Sequence, residues 1–170
     1  MIWNIPASEY HPFYDTYVRH SQGQDPRVML IAGRDMLMRW YEQLPEDKQE
    51  YRYAEGKWTP KEVLGHIMDA ERLFAYRAFR ISRGDKTPMA GFDQDPYIPA
   101  GKFNARSLHS LLEEYQDLRR CTLSMIAPWE DEQYLLVGNA NLVDISLRAQ
   151  VAVIAGHERH HFHILQERYL

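Results

Sequence analysis

The sequence is poor in cysteine, in long apolar runs and in clustered charge, and each shortage excludes a class of protein. One cysteine, Cys121, is present, so no internal disulfide can form. The apolar runs are far shorter than the roughly 20 residues that span a bilayer, so we expect no membrane-spanning segment. Basic residues form no block and the net charge is −4, so we expect no nucleic-acid partner. The first residues lack the basic start and apolar core of a signal peptide, which predicts a cytoplasmic protein.

Alternation of polar and apolar residues is also scarce, and no such run is long enough to predict a β-sheet. With 170 residues, 45% of them hydrophobic, the chain can bury one sizeable core. We therefore expect a single domain over residues 1–170, in which residues 1–24 form an irregular arm held by its aromatic side chains. His11 and His20 of the arm are expected at the surface. Cys121 falls in a helical pattern and is predicted to be a small core residue rather than a nucleophile.

Two helices are predicted in the first half of the chain. Asp25 is a suitable N-cap for the first helix, Pro26 suits its first position, and Pro45 ends it. The second helix has the strongest start in the sequence, a capping box over residues 59–62, and ends at Gly84. Each helix has one apolar face with helical spacing. The residues of these faces are Leu30, Leu37, Tyr41 and Leu44 in the first helix, and Val63, Ile67, Ala70, Phe74, Ala78 and Ile81 in the second.

Two further helices are predicted in the second half. The third follows Asn104 and ends at Pro128, and the fourth is capped by Asp144 or Ser146 and runs to near residue 168. Four amphipathic helices predict an all-α fold, a four-helix bundle with one long crossover over residues 85–103. The crossover could cover a pocket or simply connect the second and third helices. The apolar positions are Leu108, Leu111, Tyr115, Leu118, Thr122 and Met125 in the third helix, and Leu147, Val151 and Ile154 in the fourth.

Two histidines continue the apolar face of the fourth helix. His157 and His161 are four residues apart, so their imidazoles stand on one face, about 6 Å from each other. An unpaired polar ring is costly to bury, and a metal ion would satisfy both rings. A lone buried histidine is more often hydrogen-bonded to a carbonyl, and the nearby His160 and His163 would also suit a polar surface. Metal binding is the better interpretation because two rings share one buried face.

The second helix supplies a third imidazole. Bundles build metal sites between facing helices, and His66 is the only histidine of the second helix, on or near its apolar face. A tripod of His66, His157 and His161 would leave coordination positions for water or substrate, as in catalytic sites. Imidazole suits Zn, Ni, Cu and Fe, so the ligands do not select the metal. Alternatively, His66 merely lies at the edge of the core.

Residues 157–161 also match the H-E-x-x-H pattern of zinc proteases, in which Glu158 would be the general base. We regard the match as coincidental because such enzymes need a glycine turn before a third ligand, and Ile164 occupies that position. Glu158 is better explained as the partner of an arginine or as a residue that orients a ligand. Glu158 and Asp69 remain the candidate catalytic residues. Asp69 ranks above Glu71 as a carboxylate that could hold a ligand imidazole in place.

Five segments, taken in order, resemble the DinB-like superfamily and, within it, the YfiT-like metal-dependent hydrolases. They are YAEGKWT at 53–59, GHIMDAER at 65–72, YRA at 76–78, GFDQ at 91–94 and AGHERHH at 155–161. The resemblance implies a four-helix bundle, usually dimeric, whose divalent metal is held by one histidine of the second helix and two of the fourth. These ligands correspond to His66, His157 and His161. The resemblance further implies zinc or nickel, and members that resemble thiol transferases using bacillithiol or mycothiol, with one branch similar to a mycothiol-dependent isomerase.

The leading functional prediction is therefore an enzyme whose metal holds a low-molecular-weight thiol of the bacillithiol type, so that the thiolate attacks an electrophilic small molecule. A hydrolase that uses metal-activated water is the alternative, and a non-catalytic metal- or ligand-binding stress protein is the third possibility. The candidate substrate-binding residues are Arg77, Trp58 and Phe92. Arg72, Arg77 and Arg80 could bind an anionic group or could pair with nearby acids. A homodimer is expected from the resemblance alone.

Overall fold

The structure is a computed structural model that describes residues 2–169. Met1 and Leu170, which belong to the predicted domain, lie outside the described residues. The helices are α1 (Asp15–Ser21), α2 (Pro26–Glu42), α3 (Pro60–Ser82), α4 (Tyr97–Gly101), α5 (Leu108–Ile126), α6 (Asp131–Tyr134) and α7 (Leu147–Arg168). The strands β1 (Val137–Ala140) and β2 (Val143–Ser146) form an antiparallel pair between α6 and α7. Within the described residues, no helix is long and apolar enough to cross a membrane.

The four long helices α2, α3, α5 and α7 form the predicted bundle. Both α2 and α3 pack against α5 and against α7, so these two consecutive helices lie across the bundle from each other. The long crossover follows α3, as expected, and contains α4 and a short 3₁₀ turn at Phe103–Ala105. This arrangement places α3 beside α7, the two helices that carry the three candidate metal ligands.

Capping residues fix the starts of α2 and α3 where the sequence predicts them. At the start of α3, Thr59 Oγ1 accepts a hydrogen bond from the Glu62 amide at 3.1 Å. In return, Glu62 Oε2 accepts one from the Thr59 amide at 2.8 Å. Asp25 accepts a bond from the Arg27 amide at 2.9 Å and caps α2. The capping box satisfies two amides that the helix itself leaves free, which fixes the direction of the first turns and hence of His66.

The N-terminal arm differs from the prediction of an irregular segment. Residues 15–21 form α1, which packs along α7. Tyr14, Val18 and Ser21 are buried and follow helical spacing, a pattern too short to stand out in the sequence. Tyr10 and Tyr14 are buried, as the aromatic composition of the arm suggested. With α1 on one side and the bundle on the other, every residue of α7 from 149 to 158 is buried.

Three further expectations need correction. The strands β1 and β2 were not foreseen because each has four residues, and they are joined by Asn141 and Leu142 with φ of 57° and 65°, as a tight hairpin turn requires. The third long helix begins after Ser107, not after Asn104, because the 3₁₀ turn intervenes. Cys121 is exposed and is not a core residue. Of the two caps considered for the fourth helix, Ser146 is the one used.

A buried polar network lies at the centre of the bundle, around the fully buried Arg119 of α5. Its guanidinium binds Glu71 of α3 (Nη2 to Oε2, 2.8 Å), Glu158 of α7 (Nη1 to Oε1, 3.2 Å) and the Leu30 carbonyl of α2 (2.7 Å). Tyr115 donates its hydroxyl proton to Glu158 Oε2 at 2.6 Å. The network therefore joins all four long helices.

The polar network separates two apolar clusters of the core. Along α7, the first cluster ends at Ala155 and the second begins at Phe162. Along α3, Ile67 belongs to the second cluster and Ala70 to the first, so His66 and Glu71 flank this boundary. The histidines and the charged network therefore occupy the same level of the bundle.

Replacing Arg119 with Met should destabilise the protein strongly. The substitution keeps much of the side-chain volume but leaves Glu71 and Glu158 buried without their shared cation, which typically costs about 3–5 kcal/mol. The free energy of unfolding, measured by urea denaturation of the metal-free protein, tests this. The matched control is Arg120→Met at the next position, where the side chain is exposed and pairs only with exposed Asp117, so little change is expected. Equal stability of the two variants would contradict the role of the network.

Candidate metal centre

Three imidazoles converge between α3 and α7. The Nε2 atom of His66 lies 3.0 Å from Nε2 of His157 and 3.1 Å from Nε2 of His161. All three donor atoms lie within 4.8 Å of one another. His66 and His157 are buried, whereas His161 is half-buried. The structure thus brings together the three residues that the sequence predicts as ligands.

Hydrogen bonds among the three imidazoles would satisfy their ring nitrogens poorly. The ring nitrogen of His66 faces two other ring nitrogens, but a single N–H or a single in-plane lone pair serves one well-aligned hydrogen bond. A cation at the centre would accept all three lone pairs. Zn–N bonds of about 2.0–2.1 Å in tetrahedral geometry place ligand nitrogens about 3.3–3.4 Å apart, close to the observed separations. The donor set therefore fits a divalent transition metal.

The electrostatics of the cluster keep the imidazoles neutral. Burial, and secondarily the charge of His160, lowers the pKa of His66 to about 4. Burial also lowers the pKa of His157 and of His161 well below the usual range, with further lowering from the neighbouring imidazoles. Metal ions bind the neutral form of imidazole. At neutral pH the three rings are thus ready to coordinate without first losing a proton.

A glycine precedes two of the three histidines and permits a close approach at each. A Cβ atom on Gly156 would lie 1.8 Å from the backbone oxygen of Tyr17, so α1 crosses α7 in direct backbone contact beside His157. A Cβ on Gly65 would lie 2.5 Å from the ring of Phe103. A role for these two glycines is not among the predictions from the sequence. Their signal was present, since glycine inside a helix is unfavourable and needs a reason.

Aromatic rings hold the imidazoles in place from outside. The ring centroid of Trp58 lies 4.8 Å from that of His66. Tyr17 and Phe74 lie against His157, with centroids 5.2 Å and 5.5 Å away in edge-to-face geometry. Such packing restricts ring rotation, which a site with three converging donors requires.

Two cavities reach the imidazoles. One, of about 400 Å³, is bordered by His157, and the other, of about 290 Å³, is bordered by His161. Asp95 of the long crossover lines both. The crossover also contributes Gly91, Phe92, Asp93 and Gln94 to the first cavity. Of the two interpretations of this segment, the structure favours the one in which it covers a pocket.

The predicted substrate-binding residues all lie on these walls. Arg77 and Phe92 line the cavity beside His157, and Trp58 lines the cavity beside His161. Their contact with a substrate stays a prediction. A third cavity, of about 380 Å³, lies between α2 and α7 and is not bordered by the three imidazoles.

The two candidate catalytic carboxylates lie elsewhere. Asp69 is half-buried, which raises its pKa, while Arg72, 3.6 Å away, acts in the opposite direction. It lines neither of the two cavities at the imidazoles. Both oxygens of Glu158 are engaged by Arg119, and one also accepts the Tyr115 proton, so Glu158 serves the buried network. Neither residue lines the two cavities at the imidazoles, and a catalytic role for either stays a prediction.

The arginine that pairs with Glu71 and Glu158 was missed in the sequence. Arg119 lies four residues after Tyr115 and three before Thr122, on the apolar face of α5. The predicted apolar face includes Leu118 and Met125, which are only half-buried in the structure, whereas Arg119 and Ile126 are buried. A charged residue at helical spacing on an apolar face was the available signal.

The remaining histidines stand apart from the converging set. His20 lies between His160 and His163, with ring centroids 6.1 Å and 5.3 Å away. His20 is half-buried, so its expected surface position holds only in part. His11 is exposed, and its Nδ1 accepts a hydrogen bond from the Phe13 amide at 3.2 Å. None of these four, nor the exposed His109, belongs to the metal-binding group identified among the described residues.

Comparisons with known proteins agree with the resemblance seen in the sequence. The model of the DinB superfamily matches residues 29–165. Among solved structures, YfiT from Bacillus subtilis, described as a probable metal-dependent hydrolase with an unusual four-helix bundle topology, matches with a TM-score of 0.74. The match has 18% identity and covers 98% of this chain and 95% of YfiT.

A second solved structure, the DinB-like protein YjoA from Bacillus subtilis, matches with a TM-score of 0.58 at 19% identity, covering 83% of this chain and 87% of that one. The search of curated proteins gave no match. At these identities the two structural matches establish the fold, and the predicted bundle is confirmed.

Replacing His66 with Ala should abolish metal binding. After loading with zinc or nickel, we expect about one equivalent in the wild type and almost none in the variant, because two neutral imidazoles on one helix bind far more weakly than three. Elemental analysis of protein without a histidine tag measures this. His160→Ala removes a neighbouring imidazole that lies outside the converging group and should retain the metal. Equal metal loss in both variants would argue against this site.

Replacing Gly156 with Ala should displace α1 and weaken the metal centre. The new Cβ would meet a backbone oxygen, which cannot rotate away, so the helices must separate next to His157. We expect a marked drop in the thermal unfolding midpoint and weaker metal binding. Gly65→Ala is the comparison, since its obstacle is the Phe103 side chain, which can move, and its effect should be smaller. An unchanged Gly156→Ala protein would contradict the close approach of α1.

Proposed function

The chain belongs to the DinB superfamily, and on that basis we propose that it is a metal-dependent enzyme that transfers a low-molecular-weight thiol to an electrophilic small molecule. The site that supports this consists of His66, His157 and His161, which together offer three neutral nitrogen donors. Zinc and nickel are the metals proposed, and a bacillithiol-like thiol is the proposed cosubstrate. We also propose a homodimer in the cytoplasm.

Neutral ligands suit this chemistry. A divalent cation held by three imidazoles keeps its full charge and would favour the thiolate form of a thiol or the hydroxide form of water. Three protein ligands also leave room for a reactant at the centre. The aromatic residues Trp58 and Phe74 shield the imidazoles, so charge at the site is screened less than at the surface.

The observation that favours transfer over hydrolysis is the pair of cavities. A transfer reaction brings together two small molecules, whereas hydrolysis needs one substrate and water. One cavity borders His157, the other borders His161, and Asp95 lines both. A thiol bound from one side and an electrophile from the other would meet at the three imidazoles. The thiol would lose its proton to solvent and its sulfur would bond to the electrophilic carbon. The carbon–chlorine bond of a chlorinated substrate would break to release chloride, whereas an epoxide would open at one carbon–oxygen bond and its oxygen would take up a proton.

The alternative is a hydrolase that uses metal-activated water on an ester or amide. Its support is the likeness to YfiT, which is itself described as a probable metal-dependent hydrolase. Neither carboxylate predicted as a base lines these two cavities, because Glu158 is engaged by Arg119 and Asp69 lies outside them. A non-catalytic metal- or ligand-binding protein is the third proposal.

The two reactions separate in one experiment. Zinc- or nickel-loaded protein is incubated with a thiol and either an epoxide or a chlorinated electrophile, and products are followed by mass spectrometry. We expect a thioether adduct whose rate depends on the thiol and on the metal, with at least a tenfold loss in His161→Ala, because His161 is a ligand at the mouth of one cavity.

Each other outcome favours a competing function. Product formation without thiol, or cleavage of ester substrates, would support the hydrolase. If neither reaction occurs, azide is added to cobalt-loaded protein. An unchanged visible spectrum would indicate a cation that small anions cannot reach, as a non-catalytic protein would have, and transfer would be refuted.

A further inference from the structure

The cavity beside His157 contains a buried arginine that no acidic residue neutralises. Arg77 is 3% exposed. Its guanidinium makes two hydrogen-bond contacts, Nη2 to the Ala90 carbonyl at 2.8 Å and Nη1 to the Tyr14 hydroxyl at 3.5 Å. Within residues 2–169, no carboxylate forms an ion pair with it. Because a guanidinium has five N–H groups, donors remain available toward the cavity that Arg77 lines.

Among the described residues, Arg77 lacks the ion pair with a carboxylate that other arginines of this protein form. Arg119, which is fully buried, contacts two glutamates. Arg72 pairs with Asp69 and Glu114, and Arg80 pairs with Asp85, although both arginines are partly exposed. An unpaired charge is far more costly to bury than a paired one. The position of Arg77 is therefore explained by a negative charge that arrives from outside the chain.

The surroundings of Arg77 favour a small molecule with one negative charge. The cavity holds about 400 Å³, and the rings of Phe74 and Phe92 provide an apolar wall, with the guanidinium 5.8 Å from the centre of Phe74. Asp93 and Asp95 are exposed and line the same cavity, and because their repulsion grows with the charge of the ligand, one negative charge is favoured over two. A carboxylate carries one charge and matches the guanidinium fork with two parallel hydrogen bonds.

We propose that Arg77 binds the carboxylate of a reactant in this cavity and so selects carboxylate-bearing small molecules. The inference rests on the proposed function only in that the same cavity borders His157, which places the bound molecule at the metal centre. Arg77 orients the reactant by its carboxylate, and the apolar wall holds the carbon chain between that end and the imidazoles.

The test compares butyrate with butyramide, which have the same shape but differ in charge. Binding is measured by calorimetry on zinc-loaded protein. The wild type should bind butyrate about tenfold more tightly or better, since a hydrogen-bonded charge pair contributes that much. Arg77→Gln should bind butyrate about as weakly as butyramide, and Arg77→Lys should recover part of the preference. Arg72→Gln, whose arginine already has acidic partners, should keep the wild-type preference.

Several outcomes would overturn the proposal. Equal binding of butyrate and butyramide by the wild type would refute a carboxylate site, and this comparison needs no variant to fold. A butyrate preference that survives in Arg77→Gln, or that disappears when zinc is removed from the wild type, would assign the anion to the cation instead. Tighter binding of inorganic phosphate than of butyrate would refute the assignment to carboxylate.

Neither probe contains a thiol, so this result is independent of thiol transfer. If butyrate selectivity depends on Arg77 but no thioether forms, the proposed reaction fails and the carboxylate site stands. If a thioether forms but butyrate is not preferred over butyramide, the proposed reaction stands and the carboxylate site fails.

Discussion

The guanidinium of Arg119 is the interaction on which the rest of the structure depends. It is fully buried and takes partners from the three other long helices: Glu71, Glu158 and the carbonyl of Leu30. The hydrophobic effect is non-directional, whereas a buried charge must keep its particular partners. The network therefore fixes the height and rotation of each helix. Since His157 directly precedes Glu158, the same constraint sets the direction of a candidate metal ligand.

Most of the bundle could be predicted from local signals, because a capping box and a regular apolar face each act within a few turns. The converging histidines could be predicted for the same reason: His157 and His161 share a face by spacing, and His66 is the only histidine on the facing helix. The contribution of α1 could not be predicted, since seven residues are too few to show a clear helical spacing of apolar positions. Nor could the partner of Glu158, which depends on contact between positions 39 residues apart.

The candidate site combines an apolar surrounding of aromatic rings with a buried positive charge. The imidazoles lie among aromatic rings, where a charge is poorly solvated, and yet the cationic Arg77 lines the same cavity without an ion-pair partner among the described residues. Both features leave buried polar groups without a partner of opposite charge. The three ring nitrogens would be satisfied by a cation, and the Arg77 guanidinium by an anion. A protein that only needed to be stable would satisfy these groups internally, as it does at Arg119. The three imidazoles and Arg77 are therefore the places where we propose that ligands bind.

The adjacency of His157 and Glu158 has a consequence for how this site can change over evolutionary time. Any inserted or deleted residue in α7 before this pair rotates both side chains together, so a change that misdirects the histidine also breaks the central ion network. Lineages that lost the need for a metal would still be held to the same geometry by the requirement to fold.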